Sequence, residues 1–145
     1  MRDWSAEQAR KQIPTAGFLA DFPGHYVGLA FGWEDARADT DPQSFYSFEK
    51  ALVDSVLAEG KVPVVPKIPW GPDEPQRSAA EAMNEQVDRL YTEIPAIVRG
   101  PDLWSLFEQH PEYLTGDWGV VTEEGRDEVR RLWTEALTAT VYAAH

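Results

Sequence analysis

Two apolar runs, Tyr26–Phe31 and Val62–Ile68, flank a segment whose apolar residues recur at helical spacing. This order constrains the fold more than any other feature of the chain. Each run is short and mostly apolar, and each reads as a buried strand. Between them Phe45, Phe48, Leu52, Val56 and Leu57 mark one face of a helix. Asp41-Pro42 supplies a cap and a first helical residue, and Gly60 supplies the exit. Strand, helix and strand in this order make a parallel pair with a right-handed crossover.

The rest of the chain extends the same pattern. Ser5-Ala-Glu-Gln8 has the form of a capping box opening a short helix that Pro14 interrupts. Trp33–Thr40 reads as a polar loop. Pro63 and Pro66 predict that the second strand lies at an edge or carries bulges. A helix is expected over Gln76–Thr92, with Met83, Val87, Leu90 and Tyr91 inward, then a short third strand near Ala96–Arg99. Asp102 caps a helix bearing Leu103, Trp104, Leu106 and Phe107. His110–Val121 reads as irregular, and Thr122 opens a last helix burying Val129, Leu132, Trp133, Ala136 and Val141. The expected fold is one α/β domain over residues 1–145, a three-layer flavodoxin-like arrangement with a short parallel sheet flanked by helices.

Composition narrows the function. A net charge of −12 with scattered Lys and Arg argues against nucleic acid, which requires a basic patch. No apolar run approaches the ~18 residues that a membrane span requires. The chain opens without a basic-then-apolar leader, so the expected location is the cytoplasm. With no cysteine, thiolate chemistry and cysteine-bound zinc are excluded. Asp35, Asp39 and Asp41 share a loop but lack a calcium-loop pattern and read as capping acids. Glu123 and Glu124 meet the last helix's dipole. No metal or cofactor is called for.

Tryptophan is the outlier, with six in 145 residues. Ligands in open α/β sheets bind beyond the carboxyl ends of the strands. Trp33 and Glu34 follow the first strand, Trp70 follows the second, and Asp117 and Trp118 precede the last helix. The plain alternative for Trp33-Glu34 is a packing aromatic beside a solvated acid.

With these elements placed, residues 13–133 resemble the SGNH (GDSL-type) hydrolases, serine esterases and lipases on a flavodoxin-like sheet. Tyr26-Val-Gly-Leu-Ala-Phe-Gly-Trp-Glu-Asp35 looks like the strand and loop bearing that family's Gly-x-Asn-Asp block. Val62–Trp70 and Ile97–Trp104 are similar to its next two strands. Asp117-Trp-Gly-Val-Val-Thr-Glu-Glu-Gly125 looks like its Asp-x-x-His-Pro block. The resemblance implies a nucleophilic serine activated by a histidine. This chain departs from it at the chemistry. It has no Gly-Asp-Ser motif, Glu34 stands for the oxyanion-binding asparagine, and Val120 and Val121 stand for His-Pro, leaving only Asp117. His25, His110 and His145 fall elsewhere and read as surface or structural residues. The family's first strand has no counterpart, so either oligomerisation through the exposed sheet edge or a rebuilt N-terminal segment is expected.

These departures replace polar groups with Trp33, Trp118, Val120 and Val121 around one carboxylate, which implies a scaffold repurposed rather than decayed. A carboxylate in an apolar pocket loses hydration and becomes a stronger base. Beside an aromatic platform it resembles the site of designed Kemp eliminases. The expected assignment is Glu34 as base, with Trp33, Trp70, Trp118, Val120 and Val121 as walls for a small aromatic ligand. Asp35 and Asp117 are the further carboxylates. Two alternatives stand beside it. One is a non-catalytic module holding an aromatic compound, or a sugar whose hydroxyls bond Glu34, Asp35 and Asp117. The other is an inactive esterase relic with a structural or oligomeric role.

Overall fold

The computed structural model describes residues 5–6, 8–9, 18–21, 23–115 and 120–143. In chain order it has α1 (Phe18–Asp21), β1 (Tyr26–Gly28), α2 (Trp33–Arg37), α3 (Pro42–Ala58) and β2 (Val62–Val65). There follow α4 (Gln76–Glu93), β3 (Val98–Arg99), α5 (Leu103–Gln109), a 3-10 turn (Pro111–Tyr113) and α6 (Glu123–Ala143). The fold is mixed α/β, with three parallel strands in the order β1-β2-β3 and helices around them.

Helix starts follow the local chemistry read from sequence. Ser5 and Gln8 cap each other reciprocally, Ser5 N–H donating to Gln8 Oε1 at 3.1 Å and Gln8 N–H to Ser5 Oγ at 3.2 Å. Asp41 accepts from Ser44 N–H at 3.0 Å, and Asp102 from Ser105 N–H at 3.0 Å. α3 ends one residue before its C-cap Glu59, with Gly60 just beyond at φ 70°.

Three expectations require correction. Residues 33–37 form a helix rather than a loop, entered through Gly32 at φ 113°, a left-handed conformation that favours glycine. No side-chain cap announces this helix. Second, β2 is the central strand despite its prolines. Val62 N–H donates to His25 O at 2.9 Å, and Val64 O accepts from Leu29 N–H at 2.9 Å, so residues 62 and 64 bond towards β1. Pro63 therefore turns its missing N–H towards β3, which begins only opposite Val64. Pro66 lies past the strand end. Third, Val129, Leu132, Trp133 and Ala136 of α6 are half-buried rather than buried.

Side-chain alternation gives the sheet two faces. Val27, Leu29 and Val65 join the main core with Phe45, Leu52, Val53 and Val56 of α3 and Met83, Val87 and Leu90 of α4. On the opposite face, Gly28 admits the Trp133 ring of α6, which lies 3.3 Å from where a Cβ would stand. A second, smaller cluster joins Leu103, Phe107 and Tyr113, with Trp70, Val121 and Val129 packed against it. β1 forms one edge of the sheet, and Gly28 and Ala30 are exposed there.

Two polar devices fix the exit of β2. Asn84 is buried on α4; its Oδ1 accepts from Ile68 N–H at 2.8 Å and its Nδ2 donates to Ile68 O at 3.0 Å. Tyr91 O–H donates to Val65 O at 2.5 Å. Removing the amide with Asn84→Ala leaves two buried backbone groups unpaired and is expected to destabilise by about 2–4 kcal/mol. Gly32→Ala introduces a Cβ 2.4 Å from Ile68 Cδ1 on a left-handed backbone. It is expected to destabilise by roughly 2–4 kcal/mol. Urea denaturation measures both; a change under ~0.5 kcal/mol, the level of ordinary surface substitutions, would refute either assignment.

Candidate functional site

The strand exits converge at the carboxyl end of the sheet. Gly32 follows β1 and is buried against Ile68, which follows β2. Lys67 N–H donates to Pro101 O at 3.1 Å and Gly100 N–H to Val65 O at 2.8 Å, tying the exit of β3 to that of β2. The result is a crest of three neighbouring loops, as expected for ligand sites in open parallel sheets. Trp33 and Glu34 start α2 on the first loop, and Trp70 stands on the second.

The two tryptophans are built into different clusters. Trp33 is half-buried against the main core, and Trp70 is half-buried against the second cluster. The Arg77 guanidinium carbon lies 5.8 Å from the Trp70 ring centroid, within cation–π range. Val121 packs on the same cluster as Trp70 and bridges Leu114, whereas Val120 is 50% exposed. Val120 O accepts from Thr115 N–H at 3.0 Å. Asp117 and Trp118 lie outside the described residues.

Glu34 and Asp35 have opposite surroundings. Because α2 is helical, successive residues turn by roughly 100° about its axis, so neighbours in sequence face apart. Glu34 faces outward, its side chain 31% exposed, with Arg37 Nη1 at 3.6 Å. Asp35 and Ala36 face inward and are buried. Asp35 Oδ2 accepts from Ala6 N–H at 2.9 Å, joining α2 to the capped turn at Ser5. The desolvation expected at Glu34 thus falls on its neighbour.

A second buried carboxyl, Glu49 of α3, was not singled out by the motif reading. It is 1% exposed among Phe45, Leu52, Val53 and Val56, and its Oε2 has no hydrogen-bond partner. Burial, reinforced by the charge of Asp35, holds the Glu49 carboxyl well above the usual carboxylate range. A sequence signal existed: Glu49 follows Phe45 by four residues and precedes Leu52 and Val53 by three and four, on the buried stripe. Asn84 stands likewise among Ala80, Met83 and Val87.

The histidines take no part in the crest. His25 is exposed before β1, its ring edge-on to Tyr26. His110 Nδ1 lies 2.9 Å from Glu112 Oε1, and its ring stacks on Tyr113. His145 lies outside the described residues. Among the described residues no cluster of three His, Asp or Glu could hold a metal, and no helix is long and apolar enough to cross a membrane.

The crest therefore offers apolar, half-buried indole surface, one accessible carboxylate and two nearby guanidinium groups. No protein-family model matches this chain, and no curated protein matches it.

Proposed function

We propose that this chain is a small-molecule-binding domain on a flavodoxin-like, SGNH-hydrolase-like scaffold. Its ligand is a flat, uncharged aromatic or apolar compound held on the crest. The observation that carries this reading is the junction of Gly32 with Ile68, which makes neighbours of the loops bearing Trp33 and Trp70. Partly exposed indoles can stack on a planar ligand. The net charge of −12 favours an uncharged compound over an anion. Glu34 supplies an acceptor for one polar edge of the ligand. Asp35, being buried, is assigned to the scaffold rather than to contact with ligand.

Proton abstraction from carbon is the second reading, and the accessibility of Glu34 beside Trp33 favours it. In a Kemp elimination the carboxylate would take the ring C–H proton of a benzisoxazole as the N–O bond breaks, leaving a phenolate nitrile. Arg37 partly neutralises Glu34 and water reaches it, so the binding reading is the better supported. Serine-esterase chemistry has no support in the residues present.

Calorimetric titration with a benzotriazole tests the binding reading. Trp70→Ala is expected to weaken affinity by about 1–3 kcal/mol, roughly 5- to 150-fold in Kd. Unchanged affinity, or no binding by the parent chain, would make the indoles packing groups only. For the catalytic reading, Glu34→Gln keeps the shape and removes the base. Benzisoxazole turnover should then drop by at least ~10²-fold with the fold intact. An unchanged rate would end the assignment of Glu34 as base.

A further inference from the structure

The protein carries two buried carboxyl groups that neither reading of the crest employs. Asp35 is 0% exposed and Glu49 is 1% exposed, on helices α2 and α3 of the same core. Asp35 has a specific partner in the Ala6 N–H at 2.9 Å. Glu49 Oε2 has none. A buried carboxylate without a partner is costly, and two adjacent ones repel, so such a pair settles with one proton and one charge. The charge belongs with Asp35, whose carboxylate receives an N–H, and the proton with Glu49.

The covering of this pair is uneven. Glu49 is flanked on α3 by Phe45, Leu52, Val53 and Val56, all buried, and α3 is a 17-residue helix. On the other side, Ala6 and Ala9 of the turn at Ser5 enter the core with small side chains and close over it at 0% exposure. Among the described residues, their polar tie to α2 is the Ala6–Asp35 hydrogen bond. The N-terminal turn is thus the cover with the least apolar anchorage.

We propose that Asp35 and Glu49 form a buried latch carrying one proton and one negative charge. It holds the Ser5–Ala9 turn on the core and releases that turn when the proton is lost at alkaline pH.

Other charged groups near the pair do not relieve it. From α2 the facing group is Asp35, which pushes the Glu49 carboxyl up, as does burial. From α4 the titratable group is Tyr91, which senses Glu49 and whose hydroxyl is committed to Val65 O. Strand β2 brings only Val and Pro, and the described residues of the turn are Ser5, Ala6, Gln8 and Ala9. No cation among the described residues counters the Glu49 charge.

The direction of the pH effect follows from linkage. An unfolded Glu49 titrates near its ordinary value of 4.5, and the folded one titrates higher. Below that ordinary value both states hold the proton and the contribution is complete. As pH rises through the folded value, closure of the latch becomes less favourable, by up to about tenfold in equilibrium constant per pH unit.

Nuclear magnetic resonance on the full chain tests this without a variant. The Glu49 carboxyl carbon is expected to keep its protonated chemical shift at neutral pH; ionisation near 4.5 would overturn the proposal. Amide exchange at Ala6, corrected for the intrinsic base-catalysed rate, adds the mechanical test between pH 6 and 10. Ala6 protection should drop by up to about tenfold per pH unit above the Glu49 ionisation, while Leu52 and Val65 stay protected. Glu49→Gln should remove that dependence. Equal Ala6 profiles in both proteins, or loss at Ala6 and Val65 together, would overturn the latch. Should Glu49→Gln not fold, the carboxyl titration and the comparison of Ala6 with Val65 in the parent chain decide the matter.

Discussion

Ile68 is held from two directions, and the architecture of the crest depends on that restraint. Its backbone N–H and C=O are both taken by the Asn84 side chain, while its side chain presses on Gly32. Asn84 belongs to α4, so one amide connects the exit of the central strand to a long helix of the core. Gly32 begins α2, so the same residue sets where the next helix starts. A buried amide with Oδ1 and Nδ2 both engaged gives directional specificity that apolar contact alone lacks. The loops bearing Trp33 and Trp70 branch from this junction.

The core treats its buried polar groups unequally. Asn84 answers two backbone groups at one position, whereas Glu49 Oε2 has no partner. Exposed ion pairs such as Lys50–Asp54 and Arg130–Asp127 join residues three or four apart on single helices. Pairs of this kind contribute ~0.3–0.5 kcal/mol each and do not determine the fold. The consequential electrostatics lie inside, where water cannot screen them.

Much of the secondary structure was legible because its signals are local. The Ser5–Gln8 box, Asp41, Asp102 and Gly60 act within a few residues of themselves, and each works as its residue type predicts. Strand lengths were overread, since an apolar run continues past the point where the neighbouring strand ends: Ile68 is core without being strand. The position of β2 was misread because the harm done by Pro63 depends on where β3 begins, which is information from another part of the chain. Helix α2 escaped notice because Gly32 starts it by backbone conformation, with no capping side chain. That omission reached the candidate site. Read as a loop, Trp33-Glu34-Asp35 carries no facing, and the buried carboxylate was assigned to Glu34 instead of Asp35.

The same short helix connects the crest to the buried carboxyl pair. α2 turns Glu34 and Arg37 outward and Asp35 and Ala36 inward. Five residues make barely more than one turn, so a helix this short has little stability of its own. Its orientation is fixed by what its ends and inner face touch: Gly32 against Ile68, and Asp35 bonded to Ala6. A change of charge at Asp35 or Glu49 therefore acts on the seat of the helix that carries Trp33 and Glu34. The crest and the latch are two faces of one element, and the Asp35 carboxylate is the group through which a proton in the core reaches the surface.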